Sequence, residues 1–386
     1  MDLSERVPLC EVRDLIANGE VLPFRVLDEQ GRLLLNQGHV VASERQFDML
    51  IERGAWVERP QVEEVRRARA GAAPAQSAKA QRARTLFDLW EAVVWDLDDL
   101  TRRLARGSAT AAEIEAYASR LIALVDRDVD VAVFGCIRQD DKRFALYALT
   151  HGLHCGVLGL LTARQLGWPA ARAESLVKAA LTMNVAMAEL QAVLAEQRDP
   201  PSKKQMDQIR AHPHASAQLL RQAGVEQAEW LKAVEDHHER PDGKGYPGGA
   251  TDVSDLAQLL RAIDVLMAKV SPRAMRAAIS PQLAVRQLFQ QDGGAALATP
   301  LIRAVGIHLP GSLVQLRSGE QGVVTRRGSG ASMPVVATLT NNKGAPVPAT
   351  HHRDTSLPEF SITGPVAEAA GLQRVLPERV YGLISA

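Results

Sequence analysis

From about Asp130 to His308 nearly every segment of this chain carries apolar residues at helical spacing, and no feature limits the possible folds more. The segments run from Arg143 to Leu166, Ala171 to Gln197, Lys203 to Arg210, His214 to Ala223, Glu226 to His238 and Ser254 to Val270. Each exposes an apolar stripe that another helix must cover, so helix packing has to build the core.

The flanks read differently. Residues 1–59 form a small α/β module: strands within Glu20–Val41 reverse at Asp28–Gly31, and a helix holds Phe47, Leu50 and Ile51 on one face. Ser43 and Gln46 are spaced as a capping box at its start, and Gly54 ends it. Residues 60–84, rich in Ala, Arg and Gln, read as a linker. Residues 85–130 form a helical hairpin, with Leu86, Leu89, Trp90, Val93, Leu97, Leu100 and Leu104 on one face. It packs within the chain or pairs across a homodimer, and periodicity does not choose. After the helical region, residues 131–308, the pattern turns to short alternating strands, so residues 309–386 form a small β-domain.

Composition excludes several partners. Lys plus Arg and Asp plus Glu each number 45, which leaves no global field to attract a nucleic-acid polymer or an anionic membrane. The three cysteines Cys10, Cys136 and Cys155 are odd in number and lack CxxC spacing, which argues against a disulfide framework or a thiolate zinc site. The amino terminus lacks a signal-peptide pattern, and no run approaches the roughly 18 apolar residues of a membrane span. The expected location is the cytoplasm.

The sharpest chemistry lies in His237-His238-Glu239-Arg240-Pro241-Asp242-Gly243-Lys244-Gly245-Tyr246-Pro247. Neutral imidazoles are common transition-metal ligands, but neighbours on a helix point about 100° apart. Serving one centre therefore requires a helix terminus or two metal positions. This string resembles the signature loop of the HD-GYP family of bacterial cyclic di-GMP phosphodiesterases, and the similarity extends over residues 140–275 with the landmarks in order. The resemblance implies a helical HD-superfamily fold and assigns metal-ligand positions to His151, His212, His237, His238 and Asp264. It also implies that the loop Asp242, Gly243, Gly245, Tyr246 and Pro247 contacts GGDEF-type diguanylate cyclases.

The centre departs from that pattern. Met183 stands where the family has its histidine, Asn184 where it has its aspartate, and Met187 where it has its lysine, and His154 replaces an arginine. A carboxylate bridges the two cations of such a hydrolytic site, which a neutral amide cannot do equally well. Thioether sulfur suits Cu(I) better than the harder ions of phosphodiester hydrolysis. No catalytic residue is assigned, and the implied function is a degenerate binding or adaptor module in cyclic di-GMP signalling. The alternative is an active phosphodiesterase with an atypical metal centre.

Three histidines can hold one divalent ion, Fe, Mn or Zn, and the other outcome is an empty pocket. The run Leu176–Leu194 has no Gly or Pro, so it reads as one buried helix in which Met183, Met187 and Leu190 fill the vacated volume. Glu189 or Glu239 is the carboxylate that would otherwise replace the missing aspartate. Cys155 reads as core.

Overall fold

Two units make up the computed structural model: residues 1–99 with 142–147, and residues 100–141 with 148–386. The structure describes residues 5–16, 21–71, 85–138, 147–290, 294–366 and 377–382, apart from positions 30, 32, 40, 42, 43, 329, 331 and 348.

In the first unit, β1 (Arg6–Pro8), β2 (Val26–Leu27), β3 (Leu33–Leu35) and β4 (Trp56–Glu58) form an antiparallel sheet in the order β1-β4-β2-β3. The β2–β3 reversal is the expected one: Gly31 takes φ 81° and its N–H donates to the Asp28 carbonyl at 2.8 Å. Helix α1 (Glu44–Glu52) precedes β4, while the expected capping residue Ser43 lies outside the described residues. The expected linker needs correction at its start, because Arg59–Gly71 is helix α2. Arg, Ala, Gln and Glu propagate a helix well, and buried Val62 anchors this one. Positions 72–84 lie outside the described residues.

Helix α3 (Leu86–Ala105) is followed by α4 (Ala111–Arg127), which starts on a capping box. Thr110 N–H donates to Glu113 Oε2 at 2.8 Å and Glu113 N–H donates to Thr110 Oγ1 at 3.4 Å. Then follow α5 (Val129–Ile137), α6 (Tyr147–Gln165), α7 (Ala170–Thr182), α8 (Ala188–Glu196), α9 (Lys203–Gln222), α10 (Ala228–Asp236), α11 (Asp255–Val270), α12 (Pro281–Phe289) and α13 (Gly294–Val305). Helix α7 is central, packed against α4, α10 and α11. Arg172 on α7 ties two of these together, bonding Glu229 on α10 at 2.7 Å and Asp255 on α11 at 2.9 Å. Helix α6 approaches α7 closely at Gly152, where a Cβ would sit 3.0 Å from the Ala180 carbonyl oxygen.

Two helix boundaries differ from the periodicity reading. The run expected as one helix from Ala171 to Gln197 breaks after Thr182: Asn184 and Met187 leave helical geometry (φ −108°, ψ 10° and φ −123°, ψ 15°) around a 3-10 turn. Asn competes for backbone hydrogen bonds better than it propagates a helix, and Ser216 Oγ on α9 accepts the Ala186 N–H at 3.2 Å. Met183 is fully buried as a core filler, whereas Met187 and Leu190 are only half-buried. Conversely, the two segments expected on either side of Pro213 form the single helix α9.

One stretch, Ala170–Glu196, is long and apolar enough to cross a membrane by composition, contrary to the sequence reading, but it contains this break and 61% of its apolar window is buried in the fold.

The C-terminal strands β5 (Leu313–Leu316), β6 (Gln321–Arg326), β7 (Val335–Thr338), β8 (His352–Asp354) and β9 (Ile362–Pro365) form an antiparallel sheet in the order β8-β7-β6-β5-β9. Val314, Leu316, Val324 and Val336 make its core. The sheet docks on α5, where Arg326 meets Asp128 at 3.1 Å and Arg327 meets Asp130 at 2.6 Å. The fold is thus mainly helical, with a small sheet module at each end of the chain.

Candidate metal centre

His212 lies inside α9, just before Pro213. Proline has no N–H to give to the carbonyl four residues back, so the Ile209 carbonyl is left without its helical donor. His212 Nδ1–H donates to that oxygen instead, at 2.6 Å. His237 follows the last residue of α10, where the final carbonyls also lack helical donors, and its Nδ1–H donates to the Val234 carbonyl at 2.7 Å. A carbonyl can only accept, so both rings carry their proton on Nδ1 and both Nε2 atoms are bare. Those two atoms face one another at 3.1 Å.

His238 completes the set, since one ligand atom from each of His212, His237 and His238 lies within 4.8 Å of the others. The helix terminus lets the adjacent rings converge, with centroids 4.1 Å apart. Burial pushes His212 down to about 3 and lowers His237 and His238, with neighbouring histidines adding to the effect, so all three are neutral near pH 7. Three neutral imidazoles with ligand atoms this close are a donor set for a divalent transition ion, the second nitrogen being held by a backbone carbonyl in two of them.

Asp264 on α11 adjoins this set. Its Oδ1 bonds His151 Nε2 on α6 at 2.7 Å, and its Oδ2 lies 4.0 Å from His238 Nδ1. Burial works against the carboxylate, but the His151 bond and the surrounding imidazoles prevail and hold it well below the usual range. Cys155, one helical turn after His151, brings its Sγ to 3.7 Å from His151 Nε2. The three donor atoms of His151, Cys155 and Asp264 lie within 4.8 Å of one another, all buried. Cys155 is therefore core, as expected, with its sulfur beside His151 and Asp264. The four-residue spacing that puts it on the His151 face was visible in the sequence.

Other expected positions are not brought in. Met183 is buried and Asn184 half-buried at the break after α7, and neither carries an imidazole or a carboxylate. Glu189 is exposed. Glu239 is buried, but it accepts the Gly248 N–H at 2.6 Å and the Ala250 N–H at 3.0 Å, so it clamps the following loop. His154 is buried with no partner for Nδ1 among the described residues, and burial and the field of His151 push it down to about 3.

The loop itself is tightly built. Gly243 takes φ 69°, and a Cβ on Gly245 would lie 2.4 Å from Glu239 Cα. Tyr246 stacks on His238 with centroids 4.5 Å apart. Asp242 is exposed, paired with Arg240 at 2.5 Å, and Pro247 is half-buried.

The HD domain family model matches residues 147–295. A cyclic di-GMP phosphodiesterase of Pseudomonas aeruginosa is 28% identical over 182 residues, which is 46% of this chain and 44% of the relative. The match thus spans less than half of that relative's length. A solved HD-GYP-type protein from Bdellovibrio bacteriovorus is 14% identical with a TM-score of 0.49, covering 77% of this chain and 97% of that one. The ordered histidines, the loop Asp242–Pro247 and the HD domain match together make the helical region of this chain an HD-GYP-like domain.

Proposed function

We propose that this chain is a binding module of the cyclic di-GMP network that takes up its ligand without hydrolysing it at an appreciable rate. The observation that carries this is the segment Met183–Met187, which bends out of α7 and contributes no charged or imidazole donor. A two-metal phosphodiesterase centre uses a bridging carboxylate and a cation near the leaving oxygen, and a thioether and an amide supply neither. The nucleotide class rests on what the Pseudomonas relative is named for.

His212, His237 and His238 would hold one divalent ion, with Zn, Fe or Mn suited to these donors in that order of softness. Such an ion, when bound, supplies a Lewis acid for a phosphate oxygen. The chain's own residues orient the rings through Ile209 and Val234, and Tyr246 covers the His238 face. The loop Asp242–Pro247 is the surface we assign to a protein partner of the GGDEF diguanylate cyclase type.

A second reading, a phosphodiesterase with an atypical centre, is favoured by Asp264 alone, which turns one oxygen to His151 and the other toward His238. One experiment separates them: cyclic di-GMP binding by calorimetry beside product chromatography, on protein loaded with manganese, iron or zinc. Binding without linear product supports the proposal. Linear product that disappears in His237→Ala overturns it.

A further inference from the structure

We propose that His151, Cys155 and Asp264 form a second metal site, selective for a thiophilic divalent ion such as Zn2+, in which the Cys155 sulfur is a direct ligand. Three observations carry it. The donors converge: Nε2 to Oδ1 is 2.7 Å, Sγ to Nε2 is 3.7 Å, and all three atoms lie within 4.8 Å. Bonds of about 2.3 Å to sulfur and about 2.0–2.2 Å to nitrogen and oxygen span such separations with small side-chain adjustments.

Charge is the second. A thiolate and a carboxylate carry two negative charges, so a divalent ion held by them and a neutral imidazole leaves a buried site with no net charge. None of the three ligands in the histidine set carries a charge, and Asp264 is only its neighbour, with Oδ2 4.0 Å from His238; an uncompensated buried charge is costly. On binding, the Cys155 S–H bond breaks, its proton passes to solvent and a sulfur–metal bond forms. His151 gives up the Nε2 proton that bonds Asp264 and carries one on Nδ1 instead, so that it stays neutral and its Nε2 lone pair goes to the metal.

The third is placement. Cys155 is on the His151 face of α6, four residues on, and Gly152 lets that helix lie against α7, so the sulfur is presented by a rigid, buried element. Sulfur selects zinc over the manganese or magnesium that oxygen donors prefer. The site stands whether the domain cleaves nucleotide or only binds it.

The test uses the full chain carrying Cys10→Ser, which removes the exposed thiol, stripped of metal and titrated with Co2+. A near-ultraviolet sulfur-to-cobalt charge-transfer band that saturates near one equivalent is expected. It should be lost in Cys155→Ser and retained in Cys136→Ser and in His237→Ala. Absence of the band in the parent, or its persistence in Cys155→Ser, overturns the proposal. Should Cys155→Ser fail to fold, X-ray absorption of the zinc-loaded parent decides: a zinc–sulfur shell at about 2.3 Å is expected, and a shell of nitrogen and oxygen only overturns it. Loss of nucleotide binding in His237→Ala with the band intact would separate the function of the two sites.

Discussion

His212 Nε2 and His237 Nε2 stand 3.1 Å apart with no proton between them, because each ring commits its only N–H to a helix carbonyl. Two lone pairs held face to face in a buried site repel unless a cation lies between them. Pro213 is the origin of half of this arrangement, since it frees the Ile209 carbonyl for His212. Replacing it should therefore have opposite effects on metal and on stability. In Pro213→Ala the new N–H competes for Ile209, and we expect metal affinity to fall roughly 10- to 100-fold, the usual cost of losing an outer partner. The metal-free protein should gain about 1 kcal/mol or more from the restored helical bond. Competitive chelator titration and denaturant melts of the same preparation check both signs.

Acid should unfold the metal-free protein early. His212 and His154 have folded values of about 3 against 6.5 when unfolded, so between those limits the unfolded chain binds more protons. Their stabilisation is complete above about pH 6.5 and is lost as pH falls toward 3, with each contributing a slope of about 1.4 kcal/mol per pH unit within that window. Denaturant melts of chelator-treated protein from pH 8 to pH 4 should show stability falling with acid. A flat profile would contradict the neutral, buried state of these rings.

Glu239 holds the loop and leaves the ions to others. Its carboxylate accepts two backbone N–H groups, from Gly248 and Ala250, in a buried position. Glu239→Ala strands both donors, so a loss of about 1.5–3 kcal/mol is expected together with faster proteolysis between Pro241 and Ala250. Metal content measured by elemental analysis should stay at the parent value.

Gly245 tests the same loop from the side of packing. The Cβ of Gly245→Ala would fall 2.4 Å from Glu239 Cα and 2.5 Å from the Arg240 nitrogen, both backbone atoms. Overpacking of this kind costs about 1–3 kcal/mol, and the His238–Tyr246 stack should loosen with it. Thermal melting and tyrosine fluorescence report the two effects separately.

The altered centre can be rebuilt in part. Met183→His with Asn184→Asp and Met187→Lys returns an imidazole, a carboxylate and a cation to the segment between α7 and α8. Metal stoichiometry should rise, and linear product from cyclic di-GMP should become detectable. No gain in metal would mean that the bend after Thr182 keeps these side chains away from the histidines.

The helical core, the two sheet modules and the order of the histidines were legible in the sequence, because amphipathic spacing and local turn chemistry are written residue by residue. Gly31 and Gly54, for example, mark chain reversals that any L side chain would resist. The bend at Asn184 was not legible, since Leu176–Leu194 contains no Gly or Pro, a lone Asn is a weak signal, and the bend is supported by Ser216 from another helix. The unbroken course of α9 through Pro213 was likewise hidden, because the compensating hydrogen bond comes from a side chain already counted as a ligand.

The sequence by itself determined which donors exist: four imidazoles, Asp264 and a cysteine one turn from His151. Only the tertiary structure decided how they divide, with His212, His237 and His238 on one side and His151, Cys155 and Asp264 on the other, and it turned Glu239 away into the loop. Spacing along a chain sets which face of a helix a side chain occupies, whereas which faces meet depends on packing between elements more than 100 residues apart, as His151 and Asp264 are.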